Sequence, residues 1–414
     1  MATHTTCDFD ASNASWLLTS IDADTFLTIP RAVRHRLVSE AAQQQHTIVC
    51  RIGSESFAAA AYHVSLQNGA CMVAKMMPNC SSSDADDKDE LVRAEIMSQL
   101  VLQGVCEYFP ITYGGRTAVV TALPVTPPVC FTAQGEEVDV DRDIGLIGRH
   151  AACRELCISM LAAHPDVSAE GKAELLKRRE RLLRWTLSNR CELPYLFDFL
   201  LPYTTPAVIS ETVTACLACT TQFPSTLLFS ELAHVDLGTL LQEGVAGRLP
   251  PLLAGAAQQL CTSPGVFKTM CGRIFAALKA MQEYAGMVHD DLHWRNVLVT
   301  FADDGSLMPL IHDFGASRVK ATPSVACERV SALMHELSEV KYATVLPSFS
   351  TSQRVGDVTK LMEQLLQFSE KPRNHVHPDV AVFLASVLHA LAEYTRLKRT
   401  DATLFDELIF LCLK

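Results

Sequence analysis

The chain has 414 residues, of which 49% are hydrophobic, and its formal net charge is −11. This length allows two or three domain-sized units, or two lobes with an insertion, around well-buried cores. The acidic balance argues against direct nucleic-acid binding, which needs clustered Lys and Arg, and is compatible with a basic protein substrate. Because the sequence has no long apolar run and no signal segment, we expect no membrane span and an intracellular, cytoplasmic or nuclear location rather than secretion.

The N-terminal part predicts an extension followed by a β-rich segment. Residues 1–45 are rich in Ala, Thr and Ser and include an amphipathic stretch from Arg31 to Gln44, which we expect to pack on a small β-rich lobe. Beyond it, Asn68-Gly69 stands between two apolar runs and predicts a β-hairpin. Ile52-Gly53 enters an earlier turn, and Lys75 lies on the strand after the hairpin.

A helix and a long insertion come next. Glu90 to Leu102 has helical periodicity and includes Glu95, twenty residues after Lys75. A strand begins near Tyr108, but its expected continuation is delayed by about a hundred residues, over 116–223. This insertion contains a charged helix with a basic cluster, which makes it a candidate docking segment for a partner.

The chain contains fifteen cysteines, scattered through predicted helices and strands. This distribution favours reduced, buried thiols over a disulfide framework. Two local pairs, Cys153 with Cys157 and Cys216 with Cys219, raise the alternative of a zinc site. Because the first pair has helical i, i+4 spacing and neither has the usual paired motif, the sequence favours buried thiols.

The residues after the insertion predict a return to the sheet and then a helical region. Ser225 to Leu232 resumes the strand, and Glu231 and Ala233 lie where the chain leaves it. Asp236 is a candidate cap for the following helix, and a further helix is predicted from Phe267 to Tyr284.

Residues 289–296, His-Asp-Asp-Leu-His-Trp-Arg-Asn, carry the most functional information. A Val-Leu-Val strand follows them, and then His312-Asp313-Phe314-Gly315. Phosphoryl transfer from ATP needs one carboxylate near the attacking hydroxyl, together with an Asp and an Asn that hold magnesium. Asp291 is the candidate base, and Asn296 and Asp313 are the candidate ligands of Mg²⁺, with Mn²⁺ as the alternative ion. This order and spacing match the protein-kinase signature.

The resemblance to protein kinases implies an α+β, bilobal fold with a small β-rich N-lobe, a helical C-lobe and a large insertion before the hinge. The corresponding boundaries are an N-terminal extension at 1–45, an N-lobe at 46–232 that includes the insertion 116–223, and a C-lobe at 233–414.

The same resemblance implies nucleotide-binding roles for residues of the N-lobe. Ile52-Gly53 would begin the glycine-rich loop, although Glu55 and Ala58 stand where the second and third glycines usually lie. This loop is therefore degenerate, and a glutamate directed at the triphosphate would repel it. Lys75 would contact the α and β phosphates.

The helix and the hinge complete the set of residues that the resemblance implies. Glu95 would pair with the nucleotide lysine, and Glu90 is the alternative. Glu231 and Ala233 would bind adenine through the hinge backbone.

Within the kinase-like proteins, Asp-Leu-His-Trp-x-Asn-Val-Leu at 291–298 resembles haspin, an atypical Ser/Thr kinase. The motifs at Phe109-Pro110, 230–237, 289–299 and 311–315 resemble the divergent protein kinases of large DNA viruses. The resemblance covers residues 47–115 and 223–368. It implies ATP-dependent phosphorylation of Ser and Thr hydroxyls in proteins.

Three positions bear on regulation and on support of the site. Asp290 replaces the usual Arg that receives a phosphorylated activation loop, so we expect no control by that switch. His293 replaces the usual Lys near the γ-phosphate and could donate a hydrogen bond there. Asp357 fits the buried aspartate that supports the catalytic loop, or else an ordinary helix N-cap.

Two other functions remain open from the sequence. A small-molecule phosphotransferase would also contain His-x-Asp-Leu-His and Asn, but those families generally lack Gly after the metal-binding Asp-Phe pair. A pseudokinase or scaffold would agree with the degenerate glycine loop and the insertion, but such proteins usually lose one of the metal ligands, and both are present.

Overall fold

The computed structural model describes residues 23–41, 46–52, 60–78, 85–121, 130–131, 137–138, 153–183, 195–219, 222–320, 345–346, 350–397 and 403–413. The chain divides into two compact units. In their described parts, the first comprises Ala41–Asp87 and Tyr113–Ser230, and the second comprises Asp22–Glu40, Lys88–Thr112 and Glu231–Lys414. The first unit contains a β-sheet and the second is mainly helical, so the α+β class predicted from the sequence is confirmed.

The first unit contains a five-stranded sheet. Its strands are β1 (His46–Ile52), β2 (Ala60–Leu66), β3 (Cys71–Pro78), β4 (Thr112–Thr121) and β7 (Gln222–Ser230), in the spatial order β1-β2-β3-β7-β4. The pairs β1/β2, β2/β3 and β3/β7 are antiparallel. The hairpin predicted at Asn68-Gly69 is confirmed by the antiparallel pairing of β2 with β3, and Gly69 in its turn has a φ of 80°, which glycine adopts readily.

The insertion between β4 and β7 has its own hydrophobic core. Its described elements are the short strands β5 (Cys130–Phe131) and β6 (Glu137–Val138), helices α4 (153–163), α5 (Ala169–Leu183) and α6 (Pro206–Cys219), and a 3-10 helix at Tyr195–Leu200. Fully buried side chains from these helices, including Leu161, Leu175 and Phe197, form one cluster. The charged helix predicted in the insertion is therefore present as α5, and its apolar face packs into this cluster.

The described part of the N-terminal extension groups with the helical unit. It contains α1 (Ala23–Leu27) and α2 (Arg31–Ala41), and Arg31 is bound there to Glu231 and to backbone carbonyls. The residues that Arg31 binds, Glu107, Phe109 and Glu231, all lie within the predicted N-lobe boundaries 46–232, so the expectation that this stretch packs on the small lobe stays a prediction.

Seven further helices contribute to the second unit in the described residues. They are α3 (Ala85–Leu102), α7 (Leu237–Val245), α8 (Pro251–Thr262), α9 (Pro264–Tyr284), α10 (Thr351–Ser369), α11 (Pro378–Arg396) and α12 (Thr403–Leu413). The predicted helix from Phe267 to Tyr284 corresponds to α9. Ser263 caps this helix, and its apolar residues recur every three or four positions and are buried.

Short strands connect the helices of the second unit. They are β8 (Val235–Asp236), β9 (Met287–Val288), β10 (Val297–Phe301), β11 (Leu307–Ile311), β12 (Arg318–Lys320) and β13 (Val345–Leu346). Strands β10 and β11 form an antiparallel hairpin, with Val297 opposite Ile311, and β9 pairs with β12. Among the described helices, none is long and apolar enough to cross a membrane.

Candidate active site

A buried carboxylate fixes the backbone of the loop at 289–296. Asp357 is 5% exposed and accepts backbone N–H groups from His289 at 2.9 Å, Asp290 at 3.1 Å and Leu292 at 3.2 Å. It lies in the interior of α10, whose N-cap is Ser350, so Asp357 is not a helix cap. Three hydrogen bonds to one ionised carboxylate hold this loop in a single conformation.

The Asp-Phe-Gly segment packs against this loop through a row of aromatic rings. Phe314 is buried, and its ring centroid lies 6.2 Å from that of Phe109 and 5.6 Å from that of His289. His289 is fully buried, and its Nε2–H donates to the carbonyl of His312 at 2.8 Å. His289 therefore connects the loop to both neighbours of Asp313, His312 and Phe314.

Helix α3 contacts the same segment through two charged side chains on one face. Arg93 is 5% exposed and donates to the carbonyls of Gly315 at 2.8 Å and Phe314 at 3.3 Å. Glu90 is also buried, and a Cβ atom at position 315 would lie 3.2 Å from its carboxylate and 3.7 Å from that of Asp313. Gly315 therefore leaves room for both carboxylates.

Glu95, predicted as the helix glutamate, is half-buried and lies on a different face of α3. Five residues after Glu90, it is about 140° further around the helix. The structure thus brings Glu90, the alternative, to the Asp-Phe-Gly segment. Periodicity alone could not separate the two, because α3 is buried on several faces.

Asp291, the predicted base, projects from the loop with its side chain 46% exposed. Its Oδ1 lies 2.5 Å from Nζ of Lys360, and its Oδ2 lies 3.9 Å from Nε2 of His293. Sequence reasoning missed Lys360. The only available signal was its position three residues after Asp357 on α10, which directs both side chains toward the loop.

His293 carries its proton on the nitrogen nearest Asp291. Its Nδ1 accepts the backbone N–H of Arg295 at 3.2 Å, so Nε2 is the protonated nitrogen of the neutral ring. Burial lowers the pKa of His293 below its usual 6.5; Asp291 opposes this shift, and Lys360 adds to it. His293 is therefore a neutral donor at pH 7.

The β10–β11 hairpin brings the backbone of Asn296 next to that of His312, the residue before Asp313. Asn296 is 6% exposed, its Nδ2 donates to the carbonyl of Asp291 at 3.0 Å, and its own carbonyl accepts the N–H of His312 at 3.2 Å. With Nδ2 engaged, the amide oxygen is the free ligand atom. Asp313 follows with a φ of 66°. An amide oxygen and a carboxylate are both oxygen ligands of the kind that Mg²⁺ prefers.

No protein-family profile and no curated protein matches the chain. Among solved structures, the chain is similar to the kinase domain of a Toxoplasma gondii specific rhoptry antigen, with a TM-score of 0.41 and 9% identity over 92% of this chain and 91% of that chain. A five-stranded sheet precedes a helical unit in which a helix aspartate holds the loop that carries Asp291.

The predicted hinge residues have different surroundings. Glu231 is 4% exposed; its carboxylate binds Arg31 at 2.7 Å and the N–H of Ile111 at 3.1 Å, and its own N–H donates to the carbonyl of Ile111. Its side chain is therefore engaged with Arg31 and the backbone of Ile111, which leaves only its backbone for the predicted adenine contact. Ala233 lies two residues on, immediately before His234, whose N–H donates to Val299.

The predicted phosphate-binding residues belong to the first unit. Lys75 lies on β3, half-buried, opposite Ala61 of β2 and Leu228 of β7. Ile52 is the last residue of β1. Gly53 and the rest of the predicted glycine loop lie outside the described residues.

An arginine in the segment after Asp-Phe-Gly contacts the loop at 289–296. Arg318 Nε lies 2.6 Å from Oδ2 of Asp290, and Arg318 pairs with Val288 across β12 and β9. Asp290 has a φ of 65°, a left-handed conformation that aspartate tolerates better than most residues. An ion pair between two unmodified side chains, Arg318 and Asp290, thus connects this segment to the loop.

Proposed function

We propose that this protein is an atypical, ATP-dependent Ser/Thr protein kinase that transfers the γ-phosphoryl group to protein hydroxyls. The observation that supports this proposal is that Asp357 holds the loop that carries Asp291, that Asn296 binds the backbone of Asp291, and that the backbone of Asn296 binds that of His312, the residue before Asp313. These are the groups that phosphoryl transfer requires, and the barrier is lowered chiefly by positioning and charge.

Asp291 is suited to accept the proton of a substrate hydroxyl. It is exposed enough to be reached, and Lys360 holds Oδ1 while Oδ2 lies beyond hydrogen-bond distance from His293. Oδ2 is therefore the oxygen that faces the incoming hydroxyl. Lys360 provides a positive charge beside the loop, where the usual catalytic-loop lysine is replaced by His293.

Asn296 and Asp313 would hold the magnesium ions of the nucleotide. Bound Mg²⁺ offsets negative charge on the phosphate oxygens. We propose that Glu90 of α3 acts together with the Asp-Phe-Gly segment, because it lies beside Gly315, while Glu95 stays the candidate from the sequence for pairing with Lys75. The hinge backbone at Glu231 and Ala233, with Ile52 and Gly53, would bind adenine and cover the phosphates.

We also propose that activity needs no activation-loop phosphorylation. The anion on the catalytic loop, Asp290, is paired with Arg318, so the segment after Asp-Phe-Gly is held by a charge pair that needs no phosphate. A phosphorylated residue placed beside Asp290 would be repelled.

The test is transfer of radiolabelled phosphate from ATP to basic proteins by the full chain. Asp291→Asn should lower kcat about 10²- to 10⁴-fold, because the proton acceptor is lost. Asp379→Asn, which changes a carboxylate 71% exposed at the start of α11, is the matched control and should leave activity unchanged.

Two outcomes would contradict the proposal. Undiminished transfer by Asp291→Asn would place the chemistry elsewhere. Alternatively, if ATP and Mg²⁺ gave no stabilisation, where about 2.7 kcal/mol is expected at a hundred times the dissociation constant, the pseudokinase alternative would hold.

A further inference from the structure

Three cysteine thiols converge inside the insertion. Cys153 and Cys157 lie one turn apart on α4, and Cys216 lies on α6. Their Sγ atoms all lie within 4.8 Å of one another, and those of Cys153 and Cys157 are 3.5 Å apart. Each of the three residues is fully buried.

This spacing matches the separation of thiolates around a single ion. With a Zn–S bond of about 2.3 Å, two sulfur ligands of a tetrahedral site lie about 3.8 Å apart. Helical i, i+4 spacing therefore brings Cys153 and Cys157 to one face, and the packing of α6 adds Cys216. The sequence suggested Cys216 only as part of a pair with Cys219, so the convergence of these three could not be read from spacing.

One side of the cluster lies near solvent, and a positive charge lies close to Cys153. The sulfur of Met160 lies 3.3 Å from Sγ of Cys216, and Met160 is 38% exposed, so this side of the cluster lies near solvent. Three thiolates with a divalent cation carry a net charge of −1. Arg154, 6% exposed and adjacent to Cys153, adds a positive charge that stabilises the Cys153 thiolate.

We infer that Cys153, Cys157 and Cys216 form a binding site for a thiophilic divalent cation of the Zn²⁺ type. Binding replaces three S–H bonds with three S–metal bonds and releases three protons, so affinity falls as the pH is lowered. The ion would tie α4 to α6 and so stabilise the insertion. This site is independent of the proposed kinase activity.

The experiment uses the full chain, reduced, stripped of metal with a chelator and desalted. Zn²⁺ is titrated in competition with a chromophoric chelator, and Cd²⁺ is titrated separately to count thiolate-to-metal charge-transfer bands. We expect one ion per chain, three thiolates per Cd²⁺, and a rise in melting temperature with Zn²⁺. Cys216→Ser should weaken Zn²⁺ binding at least about 10²-fold.

Cys261→Ser is the matched control, because Cys261 is a buried thiol on α8 in the other unit. It should bind Zn²⁺ like the unaltered protein. Failure of the unaltered chain to bind one Zn²⁺, or equal binding by Cys216→Ser, would overturn the inference. Because the first of these readouts needs no variant, a folding defect in Cys216→Ser does not prevent the decision.

Discussion

At the level of single residues, the cation beside Asp291 comes from a helix and not from the catalytic loop. Lys360→Met should lower kcat about 10²-fold with little change in KM for the protein substrate, because the carboxylate loses the partner that orients it. Lys360→Arg should retain part of the activity. Lys371→Met, at an exposed lysine after α10, is the control. Equal steady-state kinetics for Lys360→Met and Lys371→Met would contradict this role.

A second residue makes stability depend on pH. His234 packs edge-on against Phe301, with its Nδ1 3.1 Å from Oγ1 of Thr300. Burial, aided by Arg34, lowers its pKa to about 4. Because the unfolded ring has a pKa near 6.5, its stabilising effect is complete above that pH and is lost as the pH falls toward 4.

The free energy of unfolding should therefore fall by about 2 kcal/mol between pH 7 and pH 5 through His234 alone. Urea unfolding at the two pH values measures this change. His234→Gln should show a correspondingly smaller decrease, and an identical decrease in both proteins would refute the assignment.

At the level of elements, α3 carries two glutamates, Glu90 and Glu95, on different faces, so a variant of one can be compared with a variant of the other. Glu90→Gln should lower kcat/KM for ATP about 10- to 100-fold, since Glu90 lies beside Gly315 and is buried. Glu95→Gln, on another face of the same helix, should change it less than about twofold. If Glu95→Gln lowered kcat/KM for ATP more than Glu90→Gln in a steady-state titration, Glu95 would be the functional glutamate.

The elements also separate what the sequence could predict from what it could not. The hairpin at Asn68-Gly69, helix α9 and the support of the loop by Asp357 follow from local signals: turn residues, periodicity and a motif position. The contacts of Lys360 and Arg93 join residues 69 and 222 positions apart in the chain. Such pairs are chosen by packing, and a single sequence contains no local trace of them.

At the level of the whole molecule, α2 is attached to the second unit by a buried ion pair. Arg31→Met leaves the carboxylate of Glu231, 4% exposed, without its main counter-charge, and should cost about 3–5 kcal/mol of unfolding free energy. Adding Glu231→Gln should recover part of this loss. Arg396→Met, at a side chain 65% exposed, is the control for denaturant unfolding. A loss no greater than that of the control would count against the ion pair.

The same ion pair delays the folding of α2 during synthesis of the chain. Arg31 and Glu231 are 200 residues apart, so at translation rates of up to about 20 residues per second α2 leaves the ribosome at least about 10 seconds before its partner exists. A helix of 11 residues is marginal alone, so α2 forms only when Glu231 arrives. The insertion, whose buried core spans Cys153 to Cys216, is complete before then. Helix α2 therefore becomes stable only after the whole insertion has been synthesised.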